Sequence, residues 1–233
     1  MDKFIASQTE LSRKEVQRAV KDKRVTVNGN AVKAADIKID TDADIVALDG
    51  RKLTYKKYVY YMMYKPSGVV SATEDREEKT VLDILPDELM RDGLFPAGRL
   101  DKDTTGLLII TDDGDYAHRM LSPKKHVTKR YIATLDREPD SNIIPRFEEG
   151  IILKDGTVCK SAKAELLEGT DAAVEISEGK YHQVKRMFAA LGYKVEALKR
   201  VRIGSLELDS ALKEGQTREL SAEEAGTVFI THE

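Results

Sequence analysis

The stretch GRLDKDTTGLLIITDDG, residues 98–114, decides how this chain is read. Leu107, Leu108, Ile109 and Ile110 form an unbroken apolar run, bounded by Gly106 and by Thr111-Asp112-Asp113-Gly114. A run of that length between turn residues predicts a core strand covered on both faces. Asp101 lies just upstream, between an Arg-Leu step and a Thr-Thr-Gly turn. One carboxylate is therefore expected on a loop pinned by the core. On residue type alone an Asp there is a turn former, since it bonds its own backbone readily.

The chain around this stretch has 233 residues, 41% hydrophobic and 34% charged, which is the composition of a globular protein with room for a sizeable core. Its apolar runs are far shorter than the roughly 18 residues that span a bilayer. The N-terminus lacks the apolar core of a signal peptide, so no membrane partner and a cytoplasmic location are expected. Cys159 is the only cysteine, which excludes an intrachain disulfide and a cysteine metal cluster, and its expected place is semi-buried. The histidines at 118, 126, 182 and 232 lack the i, i+4 spacing of a helical metal pair, so no metal is expected.

Net charge is only −3, which by itself argues against a phosphate-rich partner. Its distribution argues the other way. Residues 1–57 hold 13 Lys+Arg against 9 Asp+Glu, an excess of +4, so the rest of the chain carries −7. Within that remainder, Arg119, Lys124, Lys125, Lys129 and Arg130 share their stretch with no acid, and residues 180–202 contain only Glu196.

Ser12-Arg13-Lys14-Glu15 is a capping box at a helix start, and Val16, Ala19 and Val20 mark the helix's apolar face. A short helix over 3–7 precedes it. Residues 24–27 read as a strand turning at Asn28-Gly29, a pair that tolerates the positive φ of a type I′ hairpin, and 45–48 as another strand. Residues 51–57 read as a linker. The aromatic and Met-rich run from Tyr58 reads as a core strand ending at Lys65-Pro66-Ser67-Gly68. Further helices are predicted at 80–85, 115–121, 141–150 and from about 180 to Gly192, the last with Val184, Met187, Phe188 and Leu191 on one face. Further strands are predicted at 129–135, 174–176, 195–198 and 201–203, with a closing hairpin edge over 215–220.

The 98–114 stretch resembles, almost residue for residue, the catalytic motif of pseudouridine synthases, in particular the branch acting on small-subunit ribosomal RNA. Lys65-Pro66-Ser67-Gly68 resembles that family's first motif, Lys129-Arg130-Tyr131 its Lys-x-Tyr strand, and the block from Gly179 to Lys185 its third motif. The resemblance implies that Asp101 is the essential carboxylate, that Tyr131 packs in the active site, and that Lys185 pairs with Asp101. It implies no cofactor. The pattern over residues 12–33 resembles the alpha-L RNA-binding motif, which places Arg13, Lys14, Arg18, Lys21, Lys23 and Arg24 against phosphates. The expected architecture is α+β: a small helical and β RNA-binding domain over 1–57, and over 58–233 a catalytic domain with a mixed, mainly antiparallel sheet flanked by helices.

Pseudouridine formation detaches uracil from ribose, turns it, and rejoins it through carbon 5, which calls for a carboxylate and a dry pocket for an extruded base. A cation beside such a carboxylate opposes the loss of charge that burial would impose, and lysine supplies it as a point charge without arginine's fork. Tyr131 offers a ring to stack on the base and a hydroxyl to relay a proton. Whether the carboxylate attacks carbon 6, attacks the anomeric carbon or takes a sugar proton is open. Arg99 reads equally as a phosphate or ribose ligand and as a structural partner. Lys129, Lys180, His182, Gln183 and Arg186 are expected to contact RNA around the site. The expected partner is ribosomal RNA in a partly assembled small-subunit particle, met by a monomer. The competing readings are a large-subunit (23S) synthase, a catalytically silent RNA-binding protein and a glycosidase, the last requiring a second carboxylate about 5 to 9.5 Å away, for which Asp103 is the neighbour.

Overall fold

A computed structural model describes residues 1–41 and 43–230, so His232 lies outside the described residues. In chain order the elements are α1 (Asp2–Gln8), α2 (Arg13–Lys21), β1 (Val25–Val27), β2 (Asn30–Ala31), β3 (Val46–Leu48), β4 (Arg51–Leu53), β5 (Tyr60–Lys65), β6 (Phe95–Pro96) and β7 (Thr105–Thr111). There follow α3 (Gly114–Leu121), β8 (Lys129–Leu135), α4 (Ile143–Glu149), β9 (Lys163–Leu166), β10 (Asp171–Ile176), α5 (Gln183–Ala190), β11 (Val195–Ile203), β12 (Leu206–Glu207), β13 (Thr217–Glu219) and α6 (Ala222–Gly226). They build two compact units: Met1–Val59 with Leu85–Leu94, and Tyr60–Ile84 with the chain from Phe95 onward.

In the first unit, α2 starts where Ser12 and Glu15 satisfy each other's backbone donors, and it buries Val16, Ala19 and Val20. These pack with Ile5 of α1 and with Val25 and Val46 of the small sheet, ordered β2-β1-β3-β4. Asn28 and Gly29 take φ values of 51° and 80° at the first hairpin, and Asp49 and Gly50 repeat that geometry at the β3–β4 turn. Residues 51–53 therefore form a strand rather than part of a linker. The segment 85–94, expected in the second domain, belongs to this unit, where Arg91 donates to the Lys56 carbonyl at 3.2 Å.

The second unit carries a mixed sheet ordered β13-β5-β7-β11-β8-β10-β9, with β6 on β7 and β12 on β11. Only β7 and β11 run parallel among the described pairs. Residues 107–110 of β7 have no exposure, as a strand with both faces covered requires. Leu107 and Ile109 face Tyr116, Ala117 and Met120 of α3, together with Ala225 of α6. Leu108 and Ile110 turn to the opposite face by strand alternation. Among the described residues no helix is long and apolar enough to cross a membrane.

Three local expectations differ from the structure. Residues 80–85 form no helix: Thr80 and Asp83 exchange hydrogen bonds as in a capping box, but Pro86 lacks an N–H and biases Leu85 away from helical geometry. Residues 195–203 form one strand, its pairing with β8 shifted at 195/197 and 200/202, not two. β13 is an edge strand, yet its partner is the distant β5 rather than a hairpin neighbour.

Candidate active site

The loop carrying Asp101 is held on both sides. Ser71 Oγ donates to the Leu100 carbonyl and accepts from the Leu100 amide, at 3.0 and 3.1 Å. The Gly68 amide donates to the Lys102 carbonyl at 2.9 Å, and the Thr104 amide closes a turn onto the Asp101 carbonyl at 3.1 Å. Lys65, with no exposed surface, donates to the carbonyls of Pro66, Lys102 and Thr104 at 3.0, 3.1 and 3.0 Å. Burial pulls its ammonium down to about 8, opposed by the carboxylates of Asp103 and Asp101. The Lys-Pro-x-Gly turn thus works as a clamp: a buried cation that satisfies three backbone carbonyls costs less than a free one.

The sheet continues this support. Lys65, Gly106, Arg200, Tyr131 and Val174 stand opposite one another across β5, β7, β11, β8 and β10, forming one transverse row. Arg200 is buried, and its Nε donates to the Leu107 carbonyl at 2.8 Å.

Asp101, Arg99, Leu100, Thr104, Tyr131, Lys180, His182 and Gln183 line one small pocket of about 100 Å³, with Ile176 and Leu198 among the apolar parts of its wall. Asp101 keeps 28% of its side chain exposed, so it is sheltered but reachable. Lys185 Nζ lies 3.3 Å from Asp101 Oδ2, and closer still, 2.5 Å, to Asp103 Oδ1. That hydrogen bond holds the Asp103 carboxyl below its ordinary range. His182 Nε2 stands 3.5 Å from Asp101 Oδ1. The hydroxyl of Thr104 is buried on the pocket wall and has no partner among the described residues. The pocket therefore offers a fixed carboxylate, an adjoining ammonium and an aromatic ring.

Several residues expected to contact RNA have their polar groups already engaged within the protein. Lys129 turns inward: its ammonium donates to the Val127 carbonyl at 2.7 Å, and burial, reinforced by Arg200, pulls it down to about 8. Gln183 is buried, accepting from the Lys180 amide at 2.9 Å and donating to Glu178 at 2.7 Å, so its amide secures the loop instead of facing solvent. Lys180 pairs with the same Glu178, and Arg186 pairs with Asp155. In the first unit Arg13 holds Asp2 and Arg24 holds Asp49 through two hydrogen bonds each. Lys14, Arg18 and Lys21 are exposed and have no carboxylate partner among the described residues.

Reading the sequence alone missed the clamp made by Lys65, the claim of Asp103 on Lys185, and Glu178 as the anchor of the 180–183 loop. The Lys65-Pro66 motif was the one available signal.

Residues 59–190 match the family model described as RNA pseudouridylate synthase. The chain is 45% identical over 228 residues to a Bacillus subtilis protein described as an uncharacterized RNA pseudouridine synthase, covering 96% of this chain and 95% of that one. It is 43% identical to the ribosomal small subunit pseudouridine synthase A of Escherichia coli K12, covering 98% and 99%, and 43% identical to the protein of that name from Pasteurella multocida, covering 97% and 98%. A crystal structure of a pseudouridylate synthase superposes with a TM-score of 0.70 at 40% identity, covering 97% and 98%. Match and likeness run through the Asp101 loop, its clamp and the Tyr131 strand, and the chain belongs to the RNA pseudouridine synthase family.

Proposed function

We propose that this enzyme converts a uridine of small-subunit (16S) ribosomal RNA to pseudouridine, with Asp101 as its catalytic carboxylate. The reading rests on one observation above the others: Asp101 is fixed at a pocket whose wall holds Tyr131, with Lys185 at 3.3 Å. In the reaction the bond from uracil N1 to the ribose anomeric carbon breaks, a bond from carbon 5 to that carbon forms, the carbon 5 hydrogen leaves as a proton, and N1 takes up a proton in its place. Tyr131 stacks on the extruded base, Lys185 sets a positive charge 3.3 Å from the carboxylate, and Arg99 at the pocket edge meets a phosphate or ribose. The enzyme is proposed to act as a monomer. Full-length similarity to proteins named for the small subunit supports that target over the large-subunit alternative.

In this reading the first unit is an alpha-L type RNA-binding module, with Lys14, Arg18 and Lys21 against phosphates. A partly assembled small-subunit particle is the physiological substrate, which places the enzyme in the cytoplasm.

The test is tritium release from RNA labelled at carbon 5 of uridine, offered as small-subunit and as large-subunit ribosomal RNA. Release from the small-subunit RNA is expected, and Asp101→Asn is expected to abolish it while leaving fold and RNA retention intact. Full release by that variant would remove Asp101 from the mechanism, and release from large-subunit RNA alone would overturn the target.

A further inference from the structure

Tyr181 is 75% exposed, more than any other large apolar side chain among the described residues. It belongs to no core, yet it is not loose. Its ring stacks on the His182 imidazole with centroids 3.8 Å apart and planes 21° from parallel. Arg186 Nη1 donates to the Tyr181 carbonyl at 3.3 Å, and Arg186 is itself paired with Asp155. His182 takes the left-handed conformation, with φ of 47°, a cost that non-glycine residues bear chiefly where neighbours enforce it. The result is a fixed stack of two rings, its inner member 3.5 Å from Asp101 and lining the pocket, its outer member open to solvent.

We propose that the Tyr181–His182 stack is a platform for a second nucleobase, that of the nucleotide beside the uridine in the pocket. The chemistry is that of single-stranded RNA binding: a base flipped out of its stack leaves its neighbour with an uncovered face, and an aromatic side chain replaces the lost contact. His182 separates the two positions. Its inner side serves the pocket, and its outer side supports Tyr181. A tyrosine that only supported the fold would be covered. This inference rests on the proposed RNA-modifying function and adds to it a residue that holds the flanking nucleotide by stacking, whatever its base.

The protein contains no tryptophan, so Tyr181→Trp creates a single indole emitter at the platform. Ile152→Trp, at a site 66% exposed, is the control. The probe is a transcript of small-subunit ribosomal RNA, with binding measured independently by filter retention. Stacking is expected to quench the indole at 181 as RNA saturates, and to leave the indole at 152 unchanged. Tyr181→Ala is expected to lower kcat/KM for tritium release roughly 10- to 100-fold, mainly through KM, with Tyr181→Phe restoring it and thermal stability unaltered. An unquenched indole at 181 on RNA-bound enzyme, or wild-type kcat/KM for Tyr181→Ala, would overturn the platform. Quenching by RNA that wild-type enzyme fails to isomerise would instead overturn the proposed reaction and leave the platform standing.

Discussion

Lys129 and Lys65 are ammonium groups held away from water, and burial brings each down to about 8 from an ordinary 10.5. Below pH 8 both are charged in folded and unfolded chains alike, and the folded state bears the full desolvation cost. As pH climbs from about 8 towards 10.5 the folded state sheds those protons first, so this contribution to stability rises with pH. Lys129→Met removes one such group. Urea midpoints at pH 7 and 9.5 should show the gap between wild type and variant moving in the wild type's favour by at most about 2 kcal/mol; a gap independent of pH would contradict the assignment. Gly106 is the second test at this scale. Its φ is +107°, and a Cβ there would lie 2.2 Å from the Arg200 carbonyl oxygen, backbone that cannot swing away. Gly106→Ala should destabilise by about 4 kcal/mol or more, read as a fall in melting temperature or loss of soluble protein. That Asp101, Tyr131 and Lys185 come together was legible because each sits in a contiguous motif of the family resembled. The inward turn of Lys129 and the burial of Gln183 were not, because they depend on what the fold packs above them.

Helix α2 owes its start to the mutual bonds of Ser12 and Glu15, with the Ser12 amide donating to Glu15 at 2.8 Å. Ser12→Ala should cost about 1 kcal/mol in chemical denaturation of the first unit, with tritium release by the second unit unchanged. The same signature misleads at Thr80–Asp83, where identical chemistry makes only a turn because Pro86 follows within the first two turns. Local pattern was therefore enough for β7, β8 and the Asn28-Gly29 hairpin, whose partners are near or whose apolar run is unambiguous. β4 was lost because Arg51-Lys52-Leu53 is polar on an exposed edge, where pairing with β3 comes from the Asp49-Gly50 turn rather than from burial. The pairing of β13 with β5 joins residues more than 150 positions apart, and nothing local announces it.

Over the whole chain, a net charge of −3 conceals basic surfaces, and affinity for RNA should follow the local excess rather than the sum. Arg18→Gln with Lys21→Gln removes two exposed cations from α2 without touching its buried face. If both meet phosphates, the slope of log affinity against log salt should fall by roughly 1.5 to 2, with little change in the rate from saturating RNA; an unchanged slope would remove α2 from the interface. Substitution is the sounder test than excision, because deleting residues 1–57 would strand the 85–94 segment that completes the same unit. That interruption also bears on how the protein is made. The chain leaves the first unit after residue 59, returns at 85, and departs again after 94. During synthesis the first unit is complete only once residue 94 has been made, by which point β5 of the second sheet has been made ahead of its partners β7 and β13. Order of translation and order of completion therefore come apart here: the first unit begins first along the chain yet receives its last ten residues only after the second has begun.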